Sequence, residues 1–130
     1  MAHAGQELHG QDGYVLRLVR IEADVLEMEA TYGGTGQFPP KHFHPSQTEH
    51  FEVLEGTVRT IVDGEQHSHA AGDTFQVPAG AVHQMAADPP ARLKWEVRPA
   101  LRTAEFFETL YSGTAPADFL ERFAAEVRFA

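Results

Sequence analysis

Residues 42–64 read HFHPSQTEHFEVLEGTVRTIVDG. In His42-Phe43-His44 the two imidazoles are two residues apart, and on a strand that spacing puts both on one face, within reach of one ion. Pro45-Ser46-Gln47-Thr48 then turns the chain, and Glu49 opens the next strand. A hairpin partner can therefore deliver a carboxylate beside the two imidazoles. Glu49–Leu54 and Thr57–Val62 are rich in β-formers, and Glu55-Gly56 and Asp63-Gly64 after them are hairpin signals.

The same rhythm extends in both directions. Tyr14–Arg20, Val25–Tyr32 and His42–His44 precede Glu49 as candidate strands. Glu65–His69, Thr74–Val77, Val82–Ala86 and Leu93–Arg98 follow. Ala71-Gly72-Asp73 and Pro78-Ala79-Gly80 read as tighter corners. Short strands with turns every eight to twelve residues predict an all-β sandwich or closed barrel over 14–99, not a βαβ sheet. Residues 1–13 are polar and read as a loose leader or an edge segment. After Pro99 the period changes to 3.6. Thr103–Tyr111 sets Phe106, Phe107, Leu110 and Tyr111 on one stripe, and Gly113 is a stop signal. Pro116 opens a second predicted helix, with Asp118 in its first turn and Phe119, Leu120, Phe123 and Val127 on one face. Residues 100–130 thus form a helical extension whose apolar face must bury against the barrel or a partner subunit.

Composition narrows the function. One domain is the default for 130 residues. With 10 Lys plus Arg against 19 Asp plus Glu, the net charge of −9 disfavours nucleic acid and anionic membranes as partners. No cysteine is present, so any metal must be held by nitrogen and oxygen. The opening MAHAGQELHG lacks the marks of a signal peptide, and no apolar run is long enough to span a bilayer. A cytoplasmic, soluble protein is the expectation.

Among the eight histidines, His83 stands just beyond the Pro78-Ala79-Gly80 corner, on a later strand than His42 and His44. Three neutral imidazoles and one carboxylate suit one divalent transition metal (Fe, Mn, Ni, Zn or Cu) better than Mg or Ca. Four protein ligands on an octahedral ion leave two positions open. Gly36, His42, His44, Glu49 and Gly56, at intervals of five, one, four and six residues, resemble the first motif of the cupin superfamily. Gly72, Pro78, Gly80 and His83 resemble the second. At roughly 5% usage per residue type these nine positions would coincide by chance at on the order of 10⁻¹². The family often ends its second motif with Asn where this chain has Ala87. That Asn is not a metal ligand in the family, so the departure bears on the local loop.

The resemblance implies a double-stranded β-helix, or jelly-roll barrel, here carrying two short C-terminal helices. It implies the ligands His42, His44, Glu49 and His83, and a homodimer as the usual assembly. It does not imply one reaction, since one scaffold hosts many chemistries. The first reading is an oxidoreductase of dioxygenase type acting on a small, partly apolar substrate, with Glu49 also serving as a catalytic base. The alternative is a non-redox metal-dependent isomerase, lyase or cyclase, or a small-molecule-binding cupin without turnover.

Other residues read more plainly. His67-Ser68-His69 is a second H-x-H pair, but it has no carboxylate at matching spacing and reads as a solvated face. His50 alternates with Glu49 and should point away from the metal. His3 and His9 belong to the leader. Phe51 and Val53 share parity with Glu49, and Met85 with His83, so these residues and Trp95 are expected to form an apolar pocket wall. Neither Lys41 nor Arg59 is expected to face inward.

Overall fold

A computed structural model describes residues 1–34 and 37–130, so Gly36 of the first motif lies outside the described residues. Two long strands organise it, β5 (Thr48–Val62) and β8 (His83–Arg98), which run antiparallel along almost their whole length. β5 buries every second side chain (Glu49, Phe51, Val53) and then shifts register between Val53 and Thr57 before Val58 and Thr60 resume the inward face. The predicted turn at Glu55-Gly56 is therefore a bulge within one strand. Gly56 has φ +80°, and a Cβ on it would meet the Pro90 carbonyl oxygen at 2.4 Å, so this close approach of two backbones requires glycine. Val82–Ala86 and Leu93–Arg98 likewise join into the single strand β8, because β5 offers it a continuous edge.

β1 (Glu7–His9), β2 (Val15–Ile21) and β3 (Leu26–Tyr32) form a meander that continues onto β8. β1 lies in the polar N-terminal stretch, where Leu8 alone is buried. β4 is short, His42–Phe43, and pairs with β8 through His42 and His83. β6 (Glu65–Ala70) and β7 (Thr74–Val77) pair with the two halves of β5. Asp63 and Gly64 both have positive φ, as the two-residue hairpin between β5 and β6 demands. Leu16, Leu18, Leu26, Met28, Phe51, Val53, Leu93 and Val97 fill the core of the barrel.

The C-terminal region covers one end of this barrel. α1 (Thr103–Leu110) buries Phe106 and Phe107, and Phe107 meets Trp95 edge to face at 5.3 Å. Gln47 fastens α1 from below, with its Nε2 donating to Pro99 O, Ala100 O and Thr103 Oγ1. α2 is only Phe119–Arg122, shorter than the predicted second helix. The chain leaves helical geometry because the free edge of β4 captures it as β9 (Arg128–Phe129), and tertiary pairing overrides local propensity. Leu110 and Leu120, expected on the buried stripes, are 41% and 51% exposed. Leu110 sits on the cavity rim, and α2 is too short to need a second apolar row beside Phe119 and Phe123. Among the described residues no helix is long and apolar enough to cross a membrane.

Candidate metal centre and cavity

The register of β4, β5 and β8 brings the two sequence motifs together. His42 and His83 are direct cross-strand partners, with rings 4.3 Å apart. Gly80 N donates to His44 O at 2.8 Å, which ties the corner before β8 to the end of β4. The ligand atoms of His42, His44 and His83 lie within 4.8 Å of one another. Glu49 arrives from β5 with Oε1 at 3.1 Å from His44 Nε2 and 3.0 Å from His83 Nε2.

The outer hydrogen bonds decide how these rings present themselves. His44 Nδ1–H donates to Glu126 O at 2.7 Å, and His83 Nδ1–H donates to Ala81 O at 2.9 Å. His42 makes a longer contact of the same kind to Pro40 O, 3.4 Å. A carbonyl can only accept, so Nδ1 carries the proton and Nε2 is left as a lone pair in the neutral ring. Backbone acceptors of this kind fix the tautomer of metal-binding histidines. Trp95 Nε1–H donates to Glu49 Oε2 at 2.8 Å, which leaves Oε1 as the inward-facing oxygen. His44 Nε2 and Glu49 Oε1 are buried, and neither has a hydrogen-bond partner despite their 3.1 Å separation.

The titration of the site follows from this crowding. Burial pushes the His42 imidazole down to about 4, and the neighbouring His83 and His44 push the same way. Burial also disfavours a charged His44, but the Glu49 carboxylate beside it pushes harder and leaves the ring above its ordinary range. Glu49 is 1% exposed. Burial alone would raise it, yet contact with His44 and His83 holds it down at about 2. The donor set and the two unpartnered atoms fit a divalent transition metal. A cation there would satisfy Nε2 and Oε1 together, whereas a proton serves them only with poor geometry.

A cavity of about 530 Å³ opens from this centre. Phe51, Met85 and Trp95 line it, as parity predicts, but Val53 does not: it is buried in the core away from the cavity. Val53 keeps the inward parity of Glu49 and Phe51, and the register shift comes only after it. Ala87 also lies on the wall. Among the described lining residues none is Lys or Arg. Arg59 instead bonds Asp88 and stacks over Phe38. His50 faces away, accepting from Gln76 Nε2 at 3.4 Å. His67 pairs with Glu65, and His69 stacks on Phe75 and contacts Thr60, so this second H-x-H pair stands apart from the cavity.

Other contributors were not singled out as site residues. Phe106, Phe107, Tyr111, Val127 and Phe129, all from the C-terminal region, close one side of the cavity. Tyr14 and Tyr32 line it too. Both continue the inward parity of their strands, with Leu16 and Leu18 on β2 and Met28 and Ala30 on β3, so alternation alone could have found them. Nothing local to the sequence marks Glu126 as the residue whose carbonyl orients His44.

A β-barrel with a buried cluster of three histidines and a glutamate at one end of a cavity is the class that fold and site define. The Cupin domain profile matches residues 28–97, just over half of the chain, and the chain belongs to that family. Over 64 residues it is 34% identical to the quercetin 2,3-dioxygenase of Bacillus subtilis strain 168, a stretch covering 49% of this chain and 19% of that enzyme. Over 56 residues it is 41% identical to the oxidoreductase macE of Penicillium terrestre, covering 42% of this chain and 22% of that protein. The chain thus spans about a fifth of the length of these curated relatives. An RmlC-like cupin from Shewanella frigidimarina NCIMB 400 superposes with a TM-score of 0.67 at 20% identity, covering 76% of this chain and 87% of that one. That likeness speaks for the fold.

Proposed function

We propose that this chain is a metal-dependent oxidoreductase of dioxygenase type, acting on a small, partly apolar organic substrate. His42, His44, Glu49 and His83 would hold one divalent transition metal. The observation that carries this is the buried, unpartnered pair His44 Nε2 and Glu49 Oε1. The two curated relatives, one a dioxygenase and one an oxidoreductase by name, support the choice of reaction. When bound, the metal supplies Lewis acidity and, as Fe or Cu, electron exchange with O₂. Both oxygen atoms of O₂ enter the product in such a reaction, so no separate reductant is required.

The protein's own residues do the rest. The apolar wall of Phe51, Met85 and Trp95 excludes water and packs the body of the substrate. The carbonyls of Glu126 and Ala81 keep the His44 and His83 rings in the tautomer that faces the cavity. Glu49 would serve as the base by giving up its hold on the metal at Oε1 to take a substrate proton there, while Trp95 holds Oε2. The test is O₂ consumption by iron- or copper-loaded protein across a set of small aromatic substrates, beside Glu49→Gln. Substrate-dependent uptake that Glu49→Gln abolishes is expected. Turnover without O₂ consumption would move the chain to a non-redox lyase or isomerase.

A further inference from the structure

A run of six side chains borders the cavity. Trp95, bonded to Glu49, meets Phe107 edge to face at 5.3 Å, and Phe107 lies parallel to Tyr111 at 6.2 Å. Tyr111 stacks on Tyr14 at 5.7 Å, and Tyr14 meets Tyr32 edge to face at 5.1 Å. Tyr32 and Glu49 line the same cavity. The three tyrosines come from three separate places, the entry to β2, the end of β3 and the end of α1, yet all line the one cavity.

Their rings pack side by side on the cavity wall, Tyr14 against both Tyr32 and Tyr111. Each phenol carries one O–H donor, so this part of the wall, among its described residues, holds three donors and no cation. Burial raises all three phenols above their ordinary range, so the cluster stays protonated and donates. The charge around it selects what it can donate to. Among the described lining residues there is no Lys or Arg, while Asp12 stands at the rim and Glu49 at the floor. An anionic group beside the tyrosines would have no Lys or Arg countercharge among the described lining residues and would face Asp12 at the rim, which is costly when desolvated.

We infer that Tyr14, Tyr32 and Tyr111 form a substrate subsite that receives an uncharged oxygen acceptor, such as a carbonyl or ether, on a flat aromatic substrate. The inference rests on the reading of this cavity as the substrate site and adds the chemistry of the substrate's far end.

The sole tryptophan, Trp95, lies on the cavity wall and reports occupancy by its fluorescence. Two probes of matched shape, 4-hydroxyacetophenone and 4-hydroxybenzoate, would be titrated into the protein as purified, with its metal content assayed on the same sample. The neutral ketone is expected to bind at least about tenfold more tightly than the carboxylate. In the variant carrying Tyr14→Phe, Tyr32→Phe and Tyr111→Phe together, ketone affinity is expected to fall roughly 3- to 10-fold, the worth of a neutral hydrogen bond. Metal content and melting temperature should not move, since the rings remain. Equal binding of the two probes, binding of neither, or an undiminished ketone affinity in the triple variant would overturn the subsite. Loss of the metal reading would appear separately, as wild-type protein that takes up no metal yet still prefers the ketone.

Discussion

His44 Nε2 and Glu49 Oε1 face each other at 3.1 Å inside the protein, and neither has a hydrogen-bond partner. Their outward atoms are engaged by Glu126 O and the Trp95 indole, so neither side chain is free to turn away. Two fixed acceptors converging on one point call for a cation. Among the described residues Glu49 has no arginine or lysine partner, and its burial has the same explanation.

That pair sets the pH behaviour of the metal-free protein. His44 is raised in the folded state, so its stabilising contribution is complete below pH 6.5 and is lost as pH rises through its folded value. Glu49, held at about 2 against 4.5, stabilises above pH 4.5 and loses that contribution as pH falls towards 2. His42, lowered to about 4, works against folding as pH drops from 6.5. Between pH 4.5 and 6.5 the unfolded chain binds more protons at these three groups than the folded chain does, so stability rises with pH across that window. The melting temperature of metal-free protein is expected to climb from pH 4.5 to 6.5. A melting temperature that falls over that range would contradict the assignment.

Metal competes with the proton on His44, whose imidazole is raised above its ordinary range. Calorimetric titration below pH 6.5 in buffers of different ionisation enthalpy should therefore show net proton release, and affinity should fall as the solution is acidified. Proton-neutral binding below pH 6.5 would exclude that description.

The C-terminal segment acts on the centre through one carbonyl. Removing residues 126–130 deletes the acceptor of His44 Nδ1–H and the β9 pairing to β4. Because outer partners of this kind are worth about 10- to 100-fold in metal affinity, competition against a chelator should show a loss of that size. The core strands lie elsewhere, so the β signature in circular dichroism should persist.

Trp95→Phe keeps the aromatic wall and removes one N–H. It leaves Glu49 Oε2 buried without its donor, and a destabilisation of about 1–3 kcal/mol in urea unfolding is expected. Gly56→Ala should cost at least about 2 kcal/mol. It places a Cβ against the Pro90 carbonyl and forces a left-handed backbone on an L-residue.

Much of this was legible in the sequence because β structure writes its faces every second residue. That period placed Glu49, Phe51 and Trp95 inside, and the spacing of His42, His44, Glu49 and His83 marked four residues that the structure brings together. It held for Val53 too, which is buried, but Val53 packs in the core and not on the cavity wall, and which part of an inward face borders the cavity is set by the assembled barrel. The C-terminal region was harder to read. Its helical period is real over α1, but β9 forms only because β4 has an unpaired edge, a property of the assembled barrel. Glu126 reaches His44 by its backbone across 82 positions, and no side-chain pattern signals such a bond.

The central claim is a metal held by His42, His44, Glu49 and His83, and metal content by mass spectrometry tests it most directly. Protein purified without a histidine tag should carry about one equivalent of a transition metal. His42→Ala and His44→Ala should lose it, and Glu49→Gln should retain it without activity. Wild-type protein that stays metal-free after anaerobic reconstitution, or a His44→Ala variant with unchanged stoichiometry, would contradict the claim.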